Sequence, residues 1–97
     1  MYKAKITGAI LAMECGAYQN RMTARQVAKL VERQPKYENV EADIWQMLNH
    51  LKEEVRELER EIQAHEINAA LYEVADAANF LDKINTLLEL ERAFSPT

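Results

Sequence analysis

The chain has 97 residues, 48% of them hydrophobic, with two Gly, two Pro and a formal charge of -4; this leaves room for one small domain and none for a second. A chain of this size buries only about two-thirds of the surface its unfolded form exposes, so association between copies is expected. The single Cys excludes an intramolecular disulfide, no Cys or His spacing suits a thiolate zinc site, and the acidic total argues against a general nucleic-acid binder. The charge is unevenly spread. Residues 1–37 carry seven bases and two acids, a net of +5, whereas residues 38–97 carry five bases and fourteen acids, a net of -9. The expected organisation is one domain with a basic N-terminal helical segment, 1–37, and an acidic helical hairpin, 38–97.

The first apolar run, Gly8 to Met13, is interrupted by Glu14 too early for a signal core or a membrane span. A cytoplasmic chain with no membrane partner is therefore expected. Composition favours helix throughout, because residues 36–95 contain no Gly or Pro and are filled mainly by Ala, Leu, Glu, Gln, Lys and Arg. The fold class is all-α, an antiparallel bundle of about four helices per chain, completed by oligomerisation.

In chain order, a first helix is expected from Ile6 to Tyr18. A second begins at Thr23, where Thr23 and Gln26 have capping-box spacing and Met22 and Val27 are placed as a hydrophobic staple; Pro35 ends it. The third runs from about Val40 to Gln63, with Ile44, Met47, Leu48, Leu51, Val55, Leu58 and Ile62 recurring at spacings of three and four. After a break near His65, a fourth helix capped by Asn68 carries Ala70, Val74, Ala77, Leu81, Ile84 and Leu88 on one face and continues to about Arg92. The third and fourth helices read as an antiparallel hairpin.

Its chemistry lies in two acidic groups. Taking Leu51 as the centre of the apolar stripe, Glu54 falls roughly 60° and Glu57 roughly 120° to one side, while Glu53, at roughly 160°, points nearly away. Glu73 and Asp76 share a flank of the fourth helix at about 40° and 100° from Ala77. In an antiparallel hairpin, residues are level when their numbers share a sum. The pairs Glu54 with Asp76 and Glu57 with Glu73 share one, with its midpoint at residue 65 where the turn is expected. Two rungs about 4.5 Å apart would then form one oxygen-rich box. Like charges about 4 Å apart repel by about 4 kcal/mol even at a fairly high dielectric, so such a box calls for a divalent cation. Carboxylates without thiolate or imidazole select a hard ion, Mg2+ first and Mn2+ next, and Mg2+ commonly works on phosphorylated ligands. The bland alternative is a solvated face stitched by Glu53 with Arg56 and Glu57 with Arg60. Against it, Glu73 and Asp76 stand in an apolar helix with no nearby helical salt partner except Lys83.

Glu-Glu-x-x-Glu, fifteen residues, then Glu-x-x-Asp, in the stretches LNHLKEEVREL and LYEVADAANFL, resembles the MazG-type all-α nucleoside triphosphate pyrophosphohydrolases over roughly residues 44–84. The resemblance implies hydrolysis of a nucleoside triphosphate to a monophosphate and pyrophosphate. It further implies Mg2+ on Glu54, Glu57, Glu73 and Asp76, with Glu53 as the catalytic residue that positions or deprotonates water. Asn79, Lys83, Trp45 and His50 are candidate substrate contacts, with Trp45 and Phe80 placed to sandwich a base and His50 to carry a proton. The basic segment has two readings: it folds over a neighbour's acidic site, with Arg21, Arg25, Lys29 or Arg33 meeting the triphosphate, or it belongs to a DNA-binding helix pair, which the -9 hairpin opposes. The partners expected are the triphosphate and further copies of the chain, as a homodimer or larger. A regulatory nucleotide binder or a structural interaction protein is the alternative.

Overall fold

The computed structural model describes residues 6–37 and 43–95. Among them there are three helices and no strand: α1 (Gly8–Tyr37), α2 (Ile44–Gln63) and α3 (Ile67–Phe94). The all-α expectation holds, but three helices replace four because the first two expected helices are one. Thr23 lies inside α1 rather than capping a new helix, and α1 continues past Pro35 to Tyr37. No Gly or Pro stands between Ala17 and Gln34, and an interior Thr disfavours helix by only a fraction of a kcal/mol, too little to break one that packs along a neighbour. Proline within a helix forfeits its N–H bond and crowds the carbonyl four residues earlier, at a cost of about 3 kcal/mol, and the helix ends two residues beyond Pro35. The α1 start is set instead by Thr7, whose Oγ1 accepts the Ile10 N–H at 3.3 Å.

α2 is capped by Asp43, whose Oδ1 accepts the Trp45 N–H at 2.8 Å; the expected start at Val40 lies outside the described residues. α2 ends in a tight turn. Glu66 N–H reaches back to Glu61 O at 2.9 Å and His65 N–H to Ile62 O at 3.1 Å, with His65 in the left-handed region at φ 59°. This pattern satisfies carbonyls left open at a helix end and lets α3 start at once, with Glu66 rather than Asn68 as its cap and no side-chain cap bond. The antiparallel hairpin and its pivot at residue 65 are as the spacing requires.

α3 is the central element, packing against α2 on one side and α1 on another, while the backbones of α1 and α2 do not approach each other closely among the described residues. A helix with two neighbours needs small side chains where they approach, and α3 supplies Ala70 and Ala75, both buried. Helix α1, about 45 Å long at 1.5 Å per residue, accounts for the 48 Å length of the molecule, whose least dimension is 22 Å, about two helix diameters. Such a slab has little interior. The buried apolar residues among those described are Ala70, Ala75 and Phe80, and Asp76, Asn79 and Glu54 are buried beside them. The apolar face expected on the last helix is accordingly corrected: Val74, Leu81 and Leu88 are exposed, and the buried seam is turned toward Asp76 and Phe80. No described helix is long and apolar enough to cross a membrane.

Two substitutions test this backbone. A Cβ at Gly16 would meet nothing within 4 Å, so Gly16→Ala should stabilise α1 by about 0.5–1 kcal/mol. His65→Gly removes the penalty of a left-handed non-glycine residue and should contribute about 1 kcal/mol, raising the melting temperature by roughly 4–8 °C in a thermal melt. A midpoint for His65→Gly no higher than that of His65→Ala, which loses the same imidazole contacts but keeps the left-handed strain, would refute the assigned turn.

Candidate metal centre

The α2 seam runs through Met47, Leu51, Glu54, Leu58 and Glu61, at alternating spacings of four and three, and all five are buried or half-buried. Its centre is rotated from Leu51 by about 40° toward Glu54. Glu54 therefore sits in the packing surface rather than on its flank, with only 5% of its surface exposed. Across the seam α3 presents Asp76, 1% exposed, and one turn earlier the half-buried Glu73. Val55, which the apolar spacing had placed in the stripe, is exposed.

The rungs form as their sums require. Glu54, Glu57 and Glu73 each bring one carboxylate oxygen to a common point, all within 4.8 Å of one another. Asp76 lies beside Glu54. Arg33 of α1 binds both: its Nη2 donates to Glu54 Oε1 at 3.0 Å and to Asp76 Oδ2 at 2.5 Å. Among the described residues, four buried side-chain oxygens have no hydrogen-bond partner: Glu54 Oε2, Glu61 Oε2, Glu73 Oε2 and Asp76 Oδ1. An unsatisfied buried acceptor is destabilising by about 1–3 kcal/mol, more if charged.

These residues fit a hard divalent ion. Around Mg2+ at about 2.0–2.1 Å, ligand oxygens stand about 3–4.2 Å apart, so a triad within 4.8 Å is close to the spacing such an ion needs. The donors are all carboxylate oxygens, and the orphaned atoms of Glu54 and Glu73 supply lone pairs that no protein group uses. Without an ion, burial favours the neutral forms of Glu73 and Glu54. Burial, aided by hydrogen bonds and repulsion from Glu54 and Glu57, pushes the Glu73 carboxyl from 4.5 up to about 9. Burial also raises Glu54, opposed by the Glu73 hydrogen bond, reinforced by Asp76 and partly offset by the Arg33 guanidinium.

The remaining expected site residues divide. Glu53 is outside the converging set, with its side chain 62% exposed and Oε2 3.9 Å from His50 Nδ1. His50 stacks on Phe80 with centroids 5.4 Å apart, and Lys83 places Nζ 5.0 Å from the same ring centroid. Trp45 and Phe80 form no sandwich: Phe80 is buried against His50, Arg33 and Lys83, whereas Trp45 is 70% exposed in the first turn of α2. Asn79 is buried, its Nδ2 donating to Gln26 O at 2.9 Å and its Oδ1 accepting from Gln26 Nε2 at 3.3 Å. Both ends of its amide fasten α1 to α3, which explains its position but takes its hydrogen bonds away from a ligand.

Two contributors carry a signal that the motif alone does not weigh. Glu61 follows Glu57 by four and Glu54 by seven, a repeat that places it on the same seam. Arg33 is one of seven bases in residues 1–37, a segment whose docking the sequence leaves open, and it binds its own chain's carboxylates. Comparison of the chain with protein-family models, curated proteins and solved structures finds no match.

The raised acids give stability a definite pH dependence. In the window from 4.5 to about 9 the folded chain holds a proton on Glu73 that the unfolded chain has lost, so the contribution of Glu73 to metal-free stability is fully present below the window and is lost as pH rises through it. Thermal melts at about pH 6 and about pH 8.5 should show this loss, and Glu73→Gln should reduce it. Because a cation replaces the proton, the rise in melting temperature produced by Mg2+ should be larger at the higher pH. A Mg2+ effect independent of pH would exclude Glu73 as a ligand.

Proposed function

We propose that the chain is a Mg2+-dependent nucleoside triphosphate pyrophosphohydrolase of the MazG type, converting a (d)NTP to its monophosphate and pyrophosphate. The supporting observation is the convergence of Glu54, Glu57 and Glu73 on one point, with buried oxygens of Glu54 and Glu73 lacking any protein partner. A bound Mg2+ or Mn2+ supplies neutralisation of phosphate charge while leaving positions for water and phosphate oxygens. The chain's own residues then divide the remaining work. Glu54, Glu57 and Glu73 would hold the ion, with Asp76 beside Glu54 as a fourth carboxylate available to it. Lys83 and Arg33, gathered around Phe80, furnish positive charge for a polyphosphate.

In this reading water attacks the α-phosphorus, and the α–β bridging oxygen leaves with pyrophosphate. Glu53, on the solvent side next to His50, accepts the proton. Trp45 is an exposed aromatic surface available to a base, and Asn79 keeps the helix that bears Arg33 in place. The exposed stripe of Val74, Leu81 and Leu88, together with a cleft of about 480 Å³ between α1 and α3 lined by residues such as Leu11, Tyr18, Met22 and Leu71, favours a homodimer or larger assembly. A non-catalytic helical interaction or regulatory nucleotide-binding protein is the second reading, favoured by Arg33 already neutralising part of the acidic group.

Incubation with a panel of nucleoside triphosphates and Mg2+, followed by assay of monophosphate and pyrophosphate, decides between them. The enzyme reading requires turnover that EDTA abolishes and that Glu57→Gln lowers by about 100-fold or more. Release of single phosphates would contradict the proposed bond choice. Metal-dependent stabilisation without turnover would favour the binding module.

A further inference from the structure

The contact between Arg33 and the acidic group is unusual in how it is shared. One guanidinium nitrogen takes one oxygen from each of two buried carboxylates, Glu54 Oε1 and Asp76 Oδ2, and the other oxygen of each, Glu54 Oε2 and Asp76 Oδ1, is left without a partner. Each acid is thus half satisfied. Arg33 comes from α1, Glu54 from α2 and Asp76 from α3, so this one side chain joins all three helices. The guanidinium also lies over the Phe80 ring, 5.3 Å from its centroid, and the side chain keeps 23% exposure. It therefore has an apolar shelf along which to shift and a path to solvent.

A divalent ion drawn to Glu54, Glu57 and Glu73 would arrive beside this guanidinium. Two cations sharing one carboxylate repel each other, most strongly where burial keeps water from screening them. Asp76, almost wholly buried, can serve the ion fully only if its bond to Arg33 is given up. We propose that Arg33 is the resident counter-cation of the metal-free site and competes with the divalent ion, which gains Glu54 Oε1 and Asp76 only by displacing it. This rests on the metal reading above and adds to it a device that sets metal affinity from α1. The position of the N-terminal helix and the occupancy of the acidic site become coupled. By linkage, whatever holds Arg33 on the carboxylates weakens the ion by the same factor that the ion weakens Arg33.

The test is Mn2+ binding to the full chain, followed by electron paramagnetic resonance of the free ion, for the wild type, Arg33→Gln and Arg33→Lys. Competition requires Arg33→Gln to bind Mn2+ more tightly, by roughly tenfold, with Arg33→Lys between it and the wild type, although Arg33→Gln is the less stable protein without metal. Should Arg33→Gln fold poorly, titration of the wild type with Mg2+ under NMR observation of the arginine Nε–H signals serves instead. The Arg33 signal should move with the same midpoint as metal binding. Mn2+ affinity that is equal or weaker in Arg33→Gln, or an Arg33 signal unmoved at saturating Mg2+, overturns the competition while leaving the metal site standing. Absence of Mn2+ binding by every form overturns the metal reading and the competition together.

Discussion

The constraint on which this structure turns is negative charge held where water cannot reach it. A slab two helices thick has few apolar residues to bury, yet its hairpin buries Glu54, the one buried residue of α2, and Asp76 alongside Ala75 and Phe80. Repulsion between neighbouring carboxylates is on the order of the net stability of a small domain, so the fold persists only if that charge is lowered. Two means are at hand: burial and the neighbouring carboxylates raise the Glu73 carboxyl to about 9, favouring its neutral form, and the guanidinium of Arg33 pairs with Glu54 and Asp76. Neither uses all of the oxygens, and the orphaned atoms mark where a further positive charge fits.

The attachment of α1 follows from the same chemistry. Its described polar contacts to the hairpin are the Gln26 bonds to Asn79 and Asp82 and the Arg33 bridge. The +5 N-terminal part and the -9 hairpin are therefore two faces of one electrostatic arrangement within a single chain. Charge draws them together over a long range, and geometry at Arg33 and Asn79 fixes the register. The apolar residues left on the outside, Val74, Leu81 and Leu88 among them, form no part of that arrangement.

The hairpin and its acidic rungs were legible in the sequence because both follow from counting. Helical rise and the antiparallel sum place Glu54 beside Asp76 and Glu57 beside Glu73 without knowledge of any side-chain contact. What was not legible depended on packing. The apolar spacing put the centre of α2 at Leu51, but a seam that must also accept Glu54 and Glu61 lies farther round. The union of the first two expected helices was hidden because Thr23 and Gln26 match a capping box, and a local match says nothing about the length of the surface on α3 along which α1 extends. Arg33 could be counted among the bases, but its target was a tertiary question. Trp45 and Phe80 likewise share a type and a spacing, and burial separates them.

The left-handed residue at His65 has a consequence for how this chain can vary. Because α3 starts directly after it, the turn holds no slack, and the level pairs are fixed by distance from a single pivot. One residue inserted between Glu57 and Glu73 would rotate one acidic group by about 100° relative to the other and raise it by about 1.5 Å, dissolving both rungs at once. A matched change, with each acidic pair moved by the same number of residues away from the pivot, would preserve the pairing, and steps of about seven would also keep it facing the seam. The sequence between the two motifs thus behaves as a ruler whose length is constrained even where its letters are free.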